Sequence, residues 1–262
     1  MKTIIKSILL PLVILACMSL TSCEDILNRC VDGNGLLTTE TRAMETFDKI
    51  QIIGDFEVQI DTNDGSSVAI KADENLQELI ITHVAGNNLI IEPRNNDCLR
   101  PSRPIEITVN TPTVHEIRLI GSGYINCDGM ESDELKVILE GSGQIYCDDI
   151  QATSVSLDLL GSGFINCHAL TENLLALLEG SGEIRISGES VNSDLKITGS
   201  GRINADQINT DVCLAYISGS GSISTWVNNV LNVTIIGSGT VYYTGNPTIE
   251  SYISGSGQVI HQ

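Results

Sequence analysis

The sequence predicts an all-β protein that folds as a parallel β-helix with about 18–20 residues in each coil. The tripeptide Gly-Ser-Gly occurs eight times, and successive copies begin 18 to 20 residues apart. Apolar and polar residues alternate on both sides of each copy, as in strands that bury one face. A fixed period of this length is typical of a solenoid, in which each repeat packs only against its neighbours. The copies begin at Gly121, Gly141, Gly161, Gly180, Gly199, Gly219, Gly237 and Gly255.

The strands of each coil are defined by apolar positions counted from the first glycine of the tripeptide. Three such positions precede the tripeptide and two follow it, and we expect all five to point inward in every coil. The two glycines share this inward phase. They predict a bend between two strands, where the backbone has positive φ or approaches another segment closely. In the coil around Gly141 the five apolar residues are Leu135, Val137, Leu139, Ile145 and Cys147.

A further apolar residue recurs nine positions after the first glycine and predicts a second corner with a buried side chain. A coil of this length has no room for a helix beside two ordinary strands, so successive coils should pair in parallel. Parallel crossovers are almost always right-handed, and we expect that hand. A left-handed helix of 18-residue coils and a β-sandwich with glycine-rich turns are the alternatives. The corner residues are Met130, Ile150, Leu170 and Ile208.

The N-terminal residues predict an exported lipoprotein. Lys2 and Lys6 precede an apolar stretch over residues 8–20. This pattern is typical of a signal peptide and not of a membrane span. The sequence Leu20-Thr21-Ser22-Cys23 resembles a bacterial lipobox. We therefore expect cleavage after residue 22 and a lipid on Cys23; a plain secreted protein is the alternative.

These patterns divide the chain into four segments. Residues 1–22 are the predicted signal peptide and residues 23–43 a polar tether. Residues 44–114 contain irregular β coils and hairpins, and we expect this region to cover one end of the solenoid, because open strand edges promote aggregation. Residues 115–262 form the regular β-helix with all eight Gly-Ser-Gly coils. The last coil, 254–260, has no obvious cap, so its edge is a candidate contact point for another molecule.

The region 44–114 opens with a degenerate version of the coil. Gly54 holds the place of the first glycine, and Phe56 replaces the second. The flanking apolar residues keep the expected spacing: Ile50, Ile52, Val58 and Ile60.

Composition and charge exclude some classes of partner. The formal net charge is −19, and removal of Lys2 and Lys6 with the signal peptide makes the chain still more acidic. Such a surface repels nucleic acids and anionic lipid headgroups. We expect no nucleic-acid partner and membrane contact only through the lipid on Cys23.

Cysteines need separate treatment because exported proteins encounter oxidising conditions. Cys127, Cys147 and Cys167 share one inward position in consecutive coils, and we expect them to be buried free thiols. Cys213 also has the inward phase. Cys30 and Cys98 lie between the predicted lipidation site and the regular coils, and a disulfide between them is one alternative.

Short motifs give the chain a family resemblance. The sequence Gly-x-Ile-Asn occurs at 123–126, 163–166 and 201–204, and Phe-Asp-Lys-Ile stands upstream at 47–50. Over residues 40–262 the chain resembles the putative auto-transporter adhesin, head GIN domain family, which is common in exported lipoproteins of Bacteroidota. The resemblance implies a β-helical envelope or surface protein, and it supplies no catalytic residues. Glu24-Asp25 also resembles the acidic signal that directs such lipoproteins to the cell surface.

Two groups of residues are candidate sites. Aromatic residues in the coils form a candidate strip for binding sugars or a partner surface: Tyr146, Tyr216, Trp226, Tyr242 and Tyr252. Carboxylates at the turn after the second strand form a candidate metal or glycosidase site: Asp128, Asp148 and Asp149. The alternatives are that the carboxylates belong to solvated turns and that the aromatic residues cover the surface without binding a ligand.

The resulting hypothesis is a non-enzymatic envelope lipoprotein, an adhesin that binds a polysaccharide or a protein surface. We expect it in the outer membrane, on the cell-surface or the periplasmic side, without a cofactor. A pectinase-like enzyme that acts on polysaccharides and a structural envelope protein without a ligand are the alternatives. The sequence leaves the oligomeric state open.

Overall fold

The computed structural model describes residues 30–262. The predicted signal peptide and the predicted lipidation site at Cys23 lie outside the described residues. Within 30–262, no helix is long and apolar enough to cross a membrane.

The regular array is a β-solenoid whose long strands run from one tripeptide to the next. Equivalent residues of successive coils pair in parallel and in register, as Cys127 with Cys147 and Gly141 with Gly161. This confirms the predicted fold class. The strands are β10 (Glu116–Gly121), β11 (Tyr124–Gly141), β12 (Gln144–Gly161), β13 (Phe164–Gly180), β14 (Glu183–Gly199), β15 (Arg202–Gly219), β16 (Ser222–Gly237), β17 (Thr240–Thr244), β18 (Thr248–Gly255) and β19 (Gln258–His261).

The core of the array is a set of aliphatic columns along its axis. From Ile117 to Val241, the inward apolar positions predicted from the alternation are buried, including Leu135, Val137 and Leu139 before one bend. Cys127, Cys147, Cys167 and Cys213 are buried free thiols, as expected. Stacking of equal side chains therefore supplies the continuous interior that a thin coil lacks by itself.

The two glycines of each tripeptide are required for different physical reasons. The first has φ between +123° and +131° in all eight copies, a conformation that side-chain-bearing residues rarely adopt. The second has no positive φ, but a Cβ at Gly143 would stand 2.6 Å from the carbonyl oxygen of Gly123 and 2.8 Å from Leu119 Cδ2. A Cβ at Gly141 would also stand 2.4 Å from the carbonyl oxygen of Gly121. The first glycine column therefore has positive φ and a close backbone approach, and the second has the close approach alone.

The prediction for one corner residue was wrong. Met130, Ile150 and Ile208 are buried at the corner, but Leu170 is 45% exposed. The coil from Gly161 to Gly180 is one residue shorter than the coil before it, and the pairing shifts so that Ile150 faces Ala169. Ala169 therefore fills the corner, and Leu170 points outward.

The N-terminal region is built around the degenerate coil, which lies between two other layers. β3 (Lys49–Ile53) pairs in parallel with β10 on one side and with β7 (Asn88–Pro93) on the other. β4 (Glu57–Thr62) likewise lies between β11 and β9 (Glu106–Thr111). The degenerate coil therefore lies beneath β7 and β9, and it is not the end of the stack although it precedes them in the sequence.

A coil that runs in the opposite direction closes this end. β5 (Ser67–Asp73), a 3-10 helix (Glu74–Leu79) and β6 (Ile80–Ala85) pack antiparallel on β9 and β7, and the predicted hairpin loop joins β6 to β7. β2 (Leu37–Ala43) pairs antiparallel with β5. The remaining elements are β1 (Val31–Asp32), β8 (Leu99–Arg100), which pairs with β1, and a short 3-10 helix (Arg94–Asn96).

Specific polar contacts hold the closing coil in place. The Arg42 guanidinium donates to the carbonyl oxygens of Ile80 at 2.6 Å and Gln77 at 2.9 Å. Cys30 and Cys98 form a disulfide beside β1 and β8. Asp73 accepts a hydrogen bond from the Ser102 hydroxyl at 2.7 Å, which lowers the pKa of this carboxyl group. Residues 30–114 thus cover one end of the solenoid, and β2, at the end of the predicted tether, is a paired strand of this cover.

Candidate functional site

The strands that follow the bend present a flat outer face across the coils. In-register parallel pairing places equal outward positions of neighbouring coils about 4.8 Å apart. On this face, three consecutive coils contribute an aromatic ring and the next contributes a guanidinium. We call this group the aromatic surface: Tyr124, Tyr146, Phe164 and Arg185.

The three rings are in contact with one another. The ring centroids of Tyr124 and Tyr146 are 5.4 Å apart, and those of Tyr146 and Phe164 are 5.6 Å apart. Both separations lie in the range for favourable tilted pairs. Arg185 Cζ lies 5.1 Å from the centroid of Phe164, in cation–π geometry. The result is a continuous platform of aromatic rings on the outer face of three consecutive coils.

Hydrogen-bonding side chains border the platform. Asn126 Nδ2 donates to Gln59 Oε1 at 2.8 Å, and the Tyr146 hydroxyl donates to Gln144 Oε1 at 3.2 Å. On the other side, Arg185 Nε donates to Glu183 Oε1 at 2.7 Å. Amides and a carboxylate therefore stand within reach of any ligand that lies on the rings.

The surroundings of Tyr124 raise the pKa of its hydroxyl group. Loss of solvent around this hydroxyl is the main cause that raises the pKa of Tyr124, and the nearby Tyr146, Asp148 and Glu57 add to it. The hydroxyl therefore stays protonated at neutral pH and remains a hydrogen-bond donor.

The structure separates the five aromatic residues that the sequence suggested as a strip. Tyr146 and Tyr242 follow the bend in register positions that are five coils apart. Tyr216 and Tyr252 lie on the strands before the bend, and Trp226 lies on the turn after the second strand. Only Tyr146 belongs to the aromatic surface.

Sequence reasoning missed Tyr124 and Phe164. Both stand three residues after the first glycine of their coil, and Tyr146 stands five residues after its own. The two positions lie on the same outer face because their difference is even. These residues would have been found by comparing all outward positions after the bend in consecutive coils, instead of one position at a time.

The candidate metal residues are only partly brought together. Asp128 and Asp148 are register partners in neighbouring coils. Asp149 has a φ of +53° and stands at the turn. In the residues that the structure describes, no group of three or more His, Cys, Asp or Glu side chains is arranged to hold a metal ion. His168, in the next coil, contacts the Ser187 hydroxyl at 3.0 Å.

The buried thiols are chemically quiet. The sulfur atoms of Cys127 and Cys147 lie 2.6 Å apart. This contact and the burial of the site raise the pKa of the Cys147 thiol well above its ordinary value. Burial raises the pKa of Cys167 in the same direction, and that of Cys213 to about 12. Since the thiolate is the reactive form, these residues are structural.

A shallow groove is one of the concave features among the described residues. Its volume is about 430 Å³, and most of its lining is apolar. It lies on the strands before the bend, where the small side chain of Ser193 stands in a column otherwise filled by larger residues. The apolar lining residues are Leu174, Leu175, Val212 and Leu214.

Taken together, the coils define a β-solenoid protein whose outer face carries a group of contacting aromatic side chains. The chain belongs to the family described as putative auto-transporter adhesin, head GIN domain, whose model matches residues 46–247. The comparison with curated proteins gave no match.

Solved structures from Parabacteroides and Bacteroides species share the fold. A putative lipid binding protein from Parabacteroides distasonis is 27% identical, with a TM-score of 0.84 over 89% of this chain and 100% of the other. A putative adhesin from Parabacteroides merdae is 21% identical, with a TM-score of 0.83 over 88% of this chain and 98% of the other. A putative adhesin from Bacteroides fragilis is 21% identical, with a TM-score of 0.64 over 88% and 100%.

Proposed function

We propose that this chain is a non-enzymatic adhesin of the cell envelope, and that its aromatic surface binds a polysaccharide. The observation that carries the proposal is the contact of the three rings of Tyr124, Tyr146 and Phe164 in consecutive coils. Flat sugar rings expose C–H groups on one face, and such faces pack well on aromatic rings, which offer a large apolar area at low conformational cost.

The border of the aromatic surface supports the same ligand class. Sugar hydroxyls require both donors and acceptors, and the Gln144 amide and the Glu183 carboxylate lie beside the rings. Three coils span about 10 Å, which matches a short stretch of glycan rather than a single small molecule. The nearby acidic groups Glu57 and Asp148 disfavour polyanionic chains. A neutral or amino-sugar polysaccharide fits this surface better than a pectin-like uronate.

The proposed location is the outer membrane, with the lipid of Cys23 as anchor. The support is the lipobox-like sequence at 20–23 and the membership in a family named for adhesins. Metabolic labelling with an alkyne fatty acid should label the wild-type protein and not Cys23→Ala. Protease treatment of intact cells should degrade it if it faces outward, and protection from protease would contradict a role in adhesion.

The binding proposal is tested by a glycan screen followed by calorimetry on the best ligand. Tyr146→Ala should weaken binding at least tenfold, because it removes the central ring of the three. Tyr216→Ala is the matched control, since this half-buried tyrosine lies on the strands before the bend, and its affinity should stay within twofold of wild type.

The possible outcomes separate the rival functions. Equal losses in both tyrosine variants would place the binding site elsewhere. Release of reducing ends from a polysaccharide, abolished in Asp148→Ala, would identify an enzyme and contradict the proposal. The absence of binding to every glycan and matrix protein tested would favour a structural envelope protein.

A second candidate function is the binding of an acyl chain in the apolar groove. It rests on the leucine-rich lining of the groove and on the relative from Parabacteroides distasonis whose name refers to lipid binding. A fluorescent fatty acid should then bind, and Leu214→Gln should weaken it, while Tyr146→Ala should not. The reverse pattern would exclude the groove.

A further inference from the structure

The last coil of the solenoid exposes side chains that are buried in every earlier coil. Ile253 and Val259 occupy inward positions, two residues before and four residues after the first glycine of the tripeptide. In the preceding coil the same positions hold Ile235 and Val241, which are buried. Ile253 is 40% exposed, and the inward Ile249 is 37% exposed. The cross-section of the aliphatic core is therefore open at this end.

The backbone of the same coil also lacks a second neighbour. Within residues 30–262, β18 pairs only with β16, and β19 pairs only with β17. Exposed strand edges are usually protected by Lys, Pro, a bulge or a covering segment. Strand residues 248–261 contain neither Lys nor Pro, and their sole formal charge is Glu250. The opposite end is closed by the reversed coil that contains β5 and β6.

The low charge of this coil indicates the kind of partner. The chain has a net charge of −19, so two copies repel each other over most of their surface. The last coil is a place where a second copy can approach without bringing carboxylates together. A strongly basic partner would instead be attracted to the acidic outer faces, and it would gain nothing from this apolar edge.

The sequence of the last coil is also self-complementary. A twofold axis through Ser256 lays β18 of one copy antiparallel to β19 of the other, because β18 runs toward the bend and β19 runs away from it. This operation places Ile253 opposite Val259 of the second copy, both inward. It places Tyr252 opposite Ile260 of the second copy, both outward. Apolar residues thus meet apolar residues on each face of the new strand pair.

We propose that two copies of this chain dimerise tail to tail through the last coil, Thr248–His261, in this antiparallel register. The dimer completes the strand pairing of β18 and β19 and covers the open end of the core. Tyr124, Tyr146 and Phe164 lie several coils away, so the aromatic surface stays free in both copies. The dimer is independent of the proposed ligand and would present two binding surfaces to one polysaccharide.

Light scattering coupled to size-exclusion chromatography tests the dimer on the full chain. Wild type should run as a dimer at micromolar concentrations, and Ile253→Arg should run as a monomer with unchanged circular dichroism. Leu160→Arg is the matched control, because Leu160 is 43% exposed on an outer face of the array. It should remain a dimer. A monomeric wild type, or equal dissociation by both variants, would overturn the proposal.

Engineered cysteines test the register. Tyr252→Cys combined with Ile260→Cys should form intermolecular disulfides under mild oxidation, since these positions face each other across the axis. Thr234→Cys combined with Tyr242→Cys holds the same positions one coil earlier and should not crosslink. A wild-type dimer whose Tyr252→Cys/Ile260→Cys variant crosslinks no faster than this control would reject the antiparallel register.

Discussion

The N-terminal region and the regular array bury similar strands by different means. In the array, each coil is covered by copies of itself, and the same inward positions recur from Ile117 to Val241. In the N-terminal region the chain doubles back, so that β3 and β4 lie between β10–β11 and β7–β9. Repetition can therefore extend a solenoid, but its end has to be closed by residues that do not repeat.

The difference extends to how each part uses polar groups. The buried polar side chains of the array are serine and threonine hydroxyls, such as Ser193, which donates to Thr210 at 3.0 Å, and its backbone is paired between coils. The closing coil uses the Arg42 guanidinium on two carbonyl oxygens and the Gln77 amide on Thr38 and Ile70. A strand whose direction is reversed leaves groups that the ladder does not satisfy, and side chains have to satisfy them.

The largest predicted effect contrasts glycines with positive φ in the two regions. Gly180→Ala should lower the free energy of unfolding by about 3 kcal/mol or more, because φ is +127° and the new Cβ would collide with the carbonyl oxygen of Gly161. Gly65 also has a positive φ, +91°, but nothing lies within 4 Å of its Cβ position. Gly65→Ala should therefore lose only about 1–2 kcal/mol.

Urea denaturation followed by circular dichroism measures both variants. Equal losses would mean that backbone strain alone governs the glycine columns and that close packing of the coils contributes little.

A second prediction concerns the closing coil. Arg42→Met should lower the free energy of unfolding by about 2 kcal/mol, because the carbonyl oxygens of Ile80 and Gln77 lose a charged donor. Lys71→Met is the control: its ion pair with Glu106, at 2.9 Å, is exposed and should be worth less than about 1 kcal/mol. If Arg42→Met is as mild as the control, the guanidinium does not hold the coil, and hydrogen exchange in β6 should then be unchanged.

A third prediction concerns the thiols inside the array, and its effect is absent at neutral pH. The pKa of Cys213 is raised to about 12, whereas a thiol in the unfolded chain ionises near pH 8.5. As the pH rises, the thiol therefore ionises first in the unfolded state. Its contribution to the free energy of unfolding is complete below about pH 8.5 and is lost as the pH rises toward 12. Each such thiol should reduce the stability by at most about 1.4 kcal/mol per pH unit in this window.

Comparison of urea midpoints at pH 7.5 and pH 10 checks this effect, with Cys213→Ala as the reference. The variant should lose less stability than wild type over this interval. An identical slope in both proteins would show that Cys213 does not remain protonated in the folded state.

The array was predictable because its information is local and repeated. Alternation about Gly141, read from one coil, specifies the strand phase, and seven further copies confirm it. The error at Leu170 arose because a one-residue deletion shifts the phase at a corner, where no strand pattern restores it. The spatial order of β3, β7 and β10 was not predictable, since it depends on long-range pairing that leaves no period in the sequence.

The candidate site was predictable only in part for a related reason. The alternation showed that Tyr146 and Tyr252 point outward, but outward residues occur on more than one face of a bent coil. Contact between Tyr124, Tyr146 and Phe164 depends on how side chains lean across positions two residues apart in neighbouring coils. That property belongs to the three-dimensional stack and not to any single strand.

Phe56, where the second glycine would stand, has a consequence for how the chain finds its native arrangement. Eight tripeptides with the same neighbours make it easy for a nascent chain to join the wrong pair of coils, skipping one as a loop with little loss of contact. Phe56 is buried in the coil beneath Gly123, and it cannot be exchanged for a glycine of the array without a clash or a void. Phe56 thus makes this coil different from the eight that follow, so that a chain that aligned it with the wrong coil would lose the fit of this side chain.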